Sequence, residues 1–200
     1  LRHGDRRPET RTLLRRLNLR ESLMRALVVY ESMFGNTRVV AERIAQGLER
    51  AGVACSVITA AQAPSRTDGF ELVFVGAPTH AHGLPREESR LEAAKWAADP
   101  SQALVLESAA TARGVREWLE TLEIAGGTTL VAAFSTRSNI MRWLAGDAAT
   151  GIARRLKTLT AGPVETECFL VDRSNRLVAG ESIRAGSWAQ GLLAHIGASA

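Results

Sequence analysis

From Ala26 the chain runs Ala-Leu-Val-Val-Tyr to Glu31 without a polar interruption, the pattern of a strand buried on both faces of a parallel sheet. The period then changes. From Thr37 onward Val40, Ala41, Ile44, Ala45 and Leu48 recur at helical spacing, and Gly52 stands where a helix commonly ends. Ala54 to Thr59 predicts a second strand. Leu72-Val73-Phe74-Val75-Gly76 predicts a third, stopped by Pro78 because proline cannot donate to a central ladder. Thr128 to Phe134 and Val164 to Val171 predict the fourth and fifth. Between them Ala149, Ile152, Leu156 and Leu159 form a helical stripe, with Asp147 as its cap and Gly162-Pro163 as its stop. A last helix carries Ala185, Trp188, Ala189, Leu192, Leu193 and Ile196 up to Gly197.

Strands alternating with helices of this length imply an α/β fold in three layers. A doubly wound, five-stranded parallel sheet is covered on both faces through right-handed crossovers, and five strands suit the order 2-1-3-4-5. One interval breaks the rhythm: 48 residues separate Thr79 from Thr128, more than one helix and its loops require. This helical insertion between strands 3 and 4 contains a helix around Glu87 to Ala97, a stop at Asp99-Pro100 and a second helix around Val115 to Leu122. It leaves the carboxyl end of strand three, the edge where such sheets bind ligands, and is expected to form a scaffold helix pair, with a lid as the alternative.

Charge changes the picture only once it is located. The formal +4 is already reached within residues 1–24, where seven arginines face Asp5, Glu9 and Glu21, so the body is neutral. Together with 5% aromatic residues this argues against a nucleic-acid surface. No stretch of eighteen uninterrupted apolar residues exists to span a bilayer. Residues 1–24 are expected to be a basic extension, disordered or from a mis-assigned start, since the chain opens with Leu1 and Met24 directly precedes the first strand. Leucines interleaved with its arginines leave a short basic amphipathic helix as the alternative. Residues 25–200 are expected to form one domain. Cys55 and Cys168 lie far apart without metal-ligand spacing, which suggests neither a disulfide framework nor a metal site and fits a cytoplasmic location.

The chemistry concentrates in the first strand-to-helix turn. In Ser32-Met33-Phe34-Gly35-Asn36-Thr37, small polar side chains and a glycine lead from a buried strand to a helix N-terminus. Backbone donors, the helix dipole and the hydroxyls of Ser32 and Thr37 converge there on a site for a phosphate group. The bland alternative is an ordinary capped helix start. Neither G-x-G-x-x-G nor the G-x-x-x-x-G-K-[ST] loop is present, which leaves a terminal monophosphate as the expected ligand.

Tyr30-Glu31-Ser32-Met33-Phe34-Gly35-Asn36-Thr37 resembles the phosphate loop of the flavodoxins. Val75-Gly76-Ala77-Pro78-Thr79-His80 and Phe134-Ser135-Thr136-Arg137 resemble the two loops that hold the isoalloxazine ring in that family. The likeness extends over about residues 25–197, with Gly114 to Leu119 and Gly180-Glu181 as further points of similarity to small flavodoxin-like proteins of actinobacterial type. It implies FMN as cofactor, its phosphate on residues 32–37 and its ring against Pro78, Thr79, His80, His82, Gly83, Ser135, Thr136 and Arg137. His80 and His82 would stack on the ring, hydrogen-bond it or donate protons, and Arg137 would approach its pyrimidine edge or stay a solvated loop arginine. Trp96, Trp118, Trp143 and Trp188 are expected to be packing residues, with Trp143 as an alternative ring cover.

The chain departs from the family in having Phe34 where the usual loop has a second hydroxyl. It also lacks evident ring-sandwiching aromatics in the ring loops and a strongly acidic surface. The function expected is an FMN-binding redox protein, either an electron carrier or a reductase of quinones and similar small molecules. Its partner would be a redox protein or a small electron donor or acceptor, with pairing to a second copy left open. The alternative is a non-enzymatic binding module of the same fold with structural or lost flavin. A phosphorylated receiver domain is excluded by Ala77-Pro78-Thr79 at the end of strand three, where an aspartate is needed. A Ser-His-Asp hydrolase is excluded by the missing G-x-S-x-G elbow.

Overall fold

In the computed structural model, which describes residues 24–80, 83–128, 130–139 and 146–198, the strands are β1 (Arg25–Tyr30), β2 (Ala54–Thr59), β3 (Leu72–Pro78), β4 (Leu130–Ser138) and β5 (Val164–Val171). They pair in parallel in the order β2-β1-β3-β4-β5, as expected. Helices α1 (Asn36–Arg50) and α5 (Glu181–Ala198) cover one face. The other is covered by α3 (Val115–Glu120) and α4 (Ala148–Leu156), while α2 (Glu87–Ala98) and a 3₁₀ turn at Pro100–Gln102 complete the insertion. Residues 1–23, Ala81, His82 and Trp143 lie outside the described residues, so the expectations for the N-terminal extension, for His82 and for a Trp143 cover are not addressed by the structure.

Alternation along the buried strands builds two cores from one sheet. Leu27, Val29, Val73, Val75, Val131 and Ala133 point to the face of α3 and α4 and meet Trp118, Leu119, Ile152 and Leu156. Ala26, Val28, Leu72, Phe74, Ala132 and Phe134 point to the other and meet Val40, Ile44 and Leu48 of α1 and Ala185 and Ala189 of α5. Burying each such aliphatic side chain contributes roughly 1.5–3 kcal/mol, so two filled faces per strand explain why β1 and β3 are written almost wholly in apolar residues.

The fourth strand is longer than its apolar run. Ser135, Thr136, Arg137 and Ser138 do not form the expected loop but continue β4, because β5 runs on beside them to Val171 and pairs each one. Asp147 caps α4 as expected, its carboxylate accepting from the Ala149 N–H at 3.0 Å. The insertion divides its work. Through Val115, Trp118 and Leu119, α3 is part of the core, whereas α2 buries only Arg90 and Ala93.

Helices α1 and α5 approach most closely at two glycines. A Cβ on Gly47 would lie 2.4 Å from the Gly186 carbonyl oxygen, whereas one on Gly186 would find its nearest neighbour, the Arg43 oxygen, at 3.2 Å. Gly47→Ala is therefore expected to force the helices apart and cost about 1–3 kcal/mol. Gly186→Ala should cost less, and a gain in helix propensity of up to about 1 kcal/mol partly offsets it. Chemical denaturation of the two variants checks this; equal losses would mean that the helix contact is softer than its geometry indicates.

Candidate functional site

The site begins where β1 ends. The chain turns after Glu31, and Ser32, itself buried, accepts the Gly35 N–H on Oγ at 3.1 Å. Gly35 closes the turn with φ at +91°, in the left-handed region where a Cβ costs about 1–2 kcal/mol, which is the physical reason for a glycine here. Helix α1 then starts at Asn36 with no side-chain cap. Its first-turn N–H groups, left without helical partners, and the positive end of its dipole stand at the cleft that Ser32, Asn36 and Thr37 line. Thr37 is buried and shares one hydrogen bond with Thr136, Oγ1 to Oγ1 at 2.8 Å. Two hydroxyls with one hydrogen between them keep a second hydrogen to donate elsewhere.

This cleft has a volume of about 170 Å³ and lies at the carboxyl ends of β1, β3 and β4. The structure brings together Ser32, Met33, Phe34, Asn36 and Thr37 from the turn, Pro78, Thr79 and His80 from the end of β3, and Thr136 and Arg137 from β4. Gly35 contributes its backbone conformation. Two other expected residues are elsewhere. Since β4 is still a strand at these positions, successive side chains alternate, and Ser135 faces away, fully buried, donating to Asp147 Oδ1 at 2.7 Å. Gly83 lines a separate cavity of about 460 Å³ with Leu84, Arg116, Asp147 and Arg154.

Several residues of the site carry no sequence signal. Trp96 of α2, expected to be packing, is 42% exposed and lines the cleft, its ring centroid 5.8 Å from that of His80. Trp118 and Trp188 do pack, the first donating Nε1–H to the Pro64 oxygen at 2.9 Å, the second edge-on to Phe74 and Phe169. Glu107, in the segment after the 3₁₀ turn, donates its N–H to the Met33 oxygen at 2.9 Å, and its carboxylate is paired with Arg38 Nε at 2.6 Å. Asn36 Nδ2 donates to both the main-chain and side-chain oxygens of Asn175 at 3.0 Å, which ties the turn after β1 to the one after β5.

Behind the turn lies an ionic cluster. The Glu31 carboxylate accepts from the Val115 N–H at 2.9 Å and from Arg90 Nη1 at 3.4 Å, and Arg90 Nη2 donates to Glu117 at 3.0 Å. Glu31 and Arg90 have side chains only 4% and 5% exposed. Burial pushes the Glu31 carboxyl above its usual range, against the Val115 and Arg90 hydrogen bonds that favour its charge. Gly114 is required here, since a Cβ would meet Arg90 Nη1 and Glu31 Oε2 at 2.5 Å. The cluster locks both insertion helices to the residue preceding the turn. Cys168, near Ser135 and Arg137, has its thiol pushed up by burial.

Oriented N–H groups and buried hydroxyls at one end, and an aromatic and cationic rim at the other, fit a flat ligand carrying a phosphate monoester. Among the described residues no helix is long and apolar enough to cross a membrane, and no group of three or more His, Cys, Asp or Glu could hold a metal.

The fold is shared with solved flavodoxins. Flavodoxin 1 from Bacillus cereus superposes with a TM-score of 0.58 at 16% identity, over 86% of this chain and 98% of the other. The flavodoxin of Streptococcus pneumoniae gives 0.57 at 19%, over 86% and 99%. A flavodiiron core from Synechocystis gives 0.57 at 16%, over 97% of this chain but 42% of the larger protein. No curated protein matches the sequence. The sequence model of the flavodoxin family matches residues 28–129, just over half of the chain, and with these residues forming its first strands and turn the protein belongs to the flavodoxin family, whose members bind FMN.

Proposed function

We propose that this chain holds FMN in the cleft at the carboxyl edge of its sheet and serves as an electron-transfer protein or small-molecule reductase. The observation that carries the reading is the uncapped N-terminus of α1 beside the buried hydroxyls of Ser32 and Thr37. A helix start left open next to oriented donors favours a dianionic phosphate over any neutral group. FMN, when bound, supplies the electron-accepting and electron-donating chemistry. The protein's part is to bind, orient and shield. Ser32, Thr37 and the N–H groups at the start of α1 would hold the phosphate; Thr136 would keep the Thr37 hydroxyl in place. Pro78 to His80, Arg137 and Trp96 would border the ring, the positive charge of Arg137 favouring added negative charge there.

The insertion supports the reductase variant. Helix α2 walls the cleft with Trp96, and the segment that follows it is anchored through Glu107 to the phosphate turn itself. A domain of 25–200 with a separate N-terminal extension and a cytoplasmic location remain part of the same reading.

Titration of the flavin-stripped protein with FMN and riboflavin, followed by flavin fluorescence, tests it. Three charge-assisted hydrogen bonds at about 1.5 kcal/mol each predict a preference for FMN of roughly a thousandfold. Equal affinities would remove the phosphate site. Binding of neither would leave an interaction module of the flavodoxin fold.

A further inference from the structure

We propose that the trough adjoining the FMN cleft is a binding subsite for a planar aromatic molecule bearing a carboxylate or sulfonate, held by Arg173 and Arg176. The inference deepens the function proposed above and rests on it, because it names the class of the small-molecule partner. The trough has a volume of about 600 Å³ and shares Phe34, Trp96, Ser138, Val171 and Asn175 with the cofactor cleft, so the two are continuous.

Its chemistry is two-sided. Phe34 and Trp96 offer aromatic surface, and Trp96 is 42% exposed although a tryptophan gains by burial, as expected of a wall that receives a ligand. The opposite rim is the turn after β5. Asp172, which itself lines the trough, accepts the N–H groups of Ser174 and Arg176 on Oδ1 at 2.8 and 3.0 Å, which shapes residues 172–176 into a turn. Asn175, at φ +55°, is fastened to Asn36.

Arg173 and Arg176 line the trough, and among the described residues neither makes an ion pair. Some arginines elsewhere are held by carboxylates. Arg38 is paired with Glu42 and Glu107, Arg66 with Asp68 and Glu123, and Arg184 with Glu167 and Glu181. Two guanidinium groups against one carboxylate, Asp172, leave the trough a net positive charge beside Phe34 and Trp96, which suits a planar anion, since arginine donates in the flat fork that carboxylate and sulfonate accept.

The test uses the full chain loaded with FMN, and the same chain stripped of it, with anthraquinone-2-sulfonate and the neutral 2-(hydroxymethyl)anthraquinone as probes. Binding is read by calorimetry. The sulfonate is expected to bind about tenfold more tightly or better, with an advantage that falls as salt rises. Arg173→Gln with Arg176→Gln is expected to erase that advantage and leave FMN affinity unchanged. Equal binding of the two probes, or a sulfonate advantage that survives the double substitution, would overturn the subsite. A double variant that loses FMN affinity would also overturn it, by assigning the arginines to the cofactor. Failure of FMN to bind would sink the cofactor reading alone, because the ratio of the two probes is measured separately on the stripped chain.

Discussion

Arg90→Ala is expected to cost about 3–5 kcal/mol of folding stability, one of the two largest effects among these substitutions. The loss comes less from the missing attraction than from what stays behind. Glu31 would remain a buried carboxylate whose only described neighbouring donor is the Val115 N–H. Denaturant unfolding measures the loss, and its pH dependence identifies the cause. Burial already raises Glu31, and removing the adjacent cation raises it further. A carboxyl with a folded value above its unfolded one costs stability where both states are ionised, and the cost is released as pH falls through the folded value. The deficit of Arg90→Ala relative to wild type should therefore shrink on acidification. A deficit that stays constant would point to lost packing instead.

A second variant separates charge from shape. Glu31→Gln combined with Arg90→Met removes both charges, keeps an acceptor for the Val115 N–H and retains an apolar stem of similar reach. Such replacements of buried pairs are often neutral or better, so most of the stability should return, to within about 1–2 kcal/mol of wild type. If it does, the cluster exists for placement more than for stability. Arg90 comes from α2, and Glu31 precedes the turn proposed to hold the phosphate. An apolar contact would hold that helix with less fixed orientation, and Trp96, six residues along the same helix, would be aimed less definitely into the cleft.

Much of this molecule is legible in its sequence, for identifiable reasons. β1 beyond Arg25, and β3, are buried on both faces and written in an apolar run, which marks them directly. Asp147 and Gly35 each have a residue type tied to a local conformation, a cap and a positive φ. The misses share a different origin. Ser135 resembles a loop residue beside Thr136, but strand pairing with β5 imposes alternation and turns the two to opposite faces. No local pattern carries that information, because the length of β4 is set by its neighbour. Trp96 sits among alanines on a helix and reads as core, yet α2 touches the core only through Arg90 and Ala93. Arg90 is the clearest case. A charged residue on a helix rich in charges reads as a solvated face, and only the folded chain brings Glu31 and Glu117 to it from 59 and 27 residues away.

The substitution with the largest expected effect on the cofactor is the pair Ser32→Ala with Thr37→Val. Both hydroxyls are buried at the cleft, and on the proposed reading each donates to a charged phosphate oxygen. Hydrogen bonds to charged groups contribute about 1.5–3 kcal/mol, so the pair should weaken FMN binding by roughly a hundredfold or more. Riboflavin, which has no phosphate, should bind the variant and the wild type alike. That comparison matters because the substitutions also remove the acceptor for the Gly35 N–H and the Thr37–Thr136 hydrogen bond, and general damage to the turn would weaken both flavins together. Ser135→Ala supplies the control. Its hydroxyl is equally buried and equally polar but faces Asp147 across the sheet, so it should lower stability by about 1 kcal/mol and leave the FMN affinity where it was. A loss of FMN affinity in Ser135→Ala as large as in the double variant would show that the binding energy is not localised at the end of β1, and the phosphate assignment to residues 32–37 would fall with it.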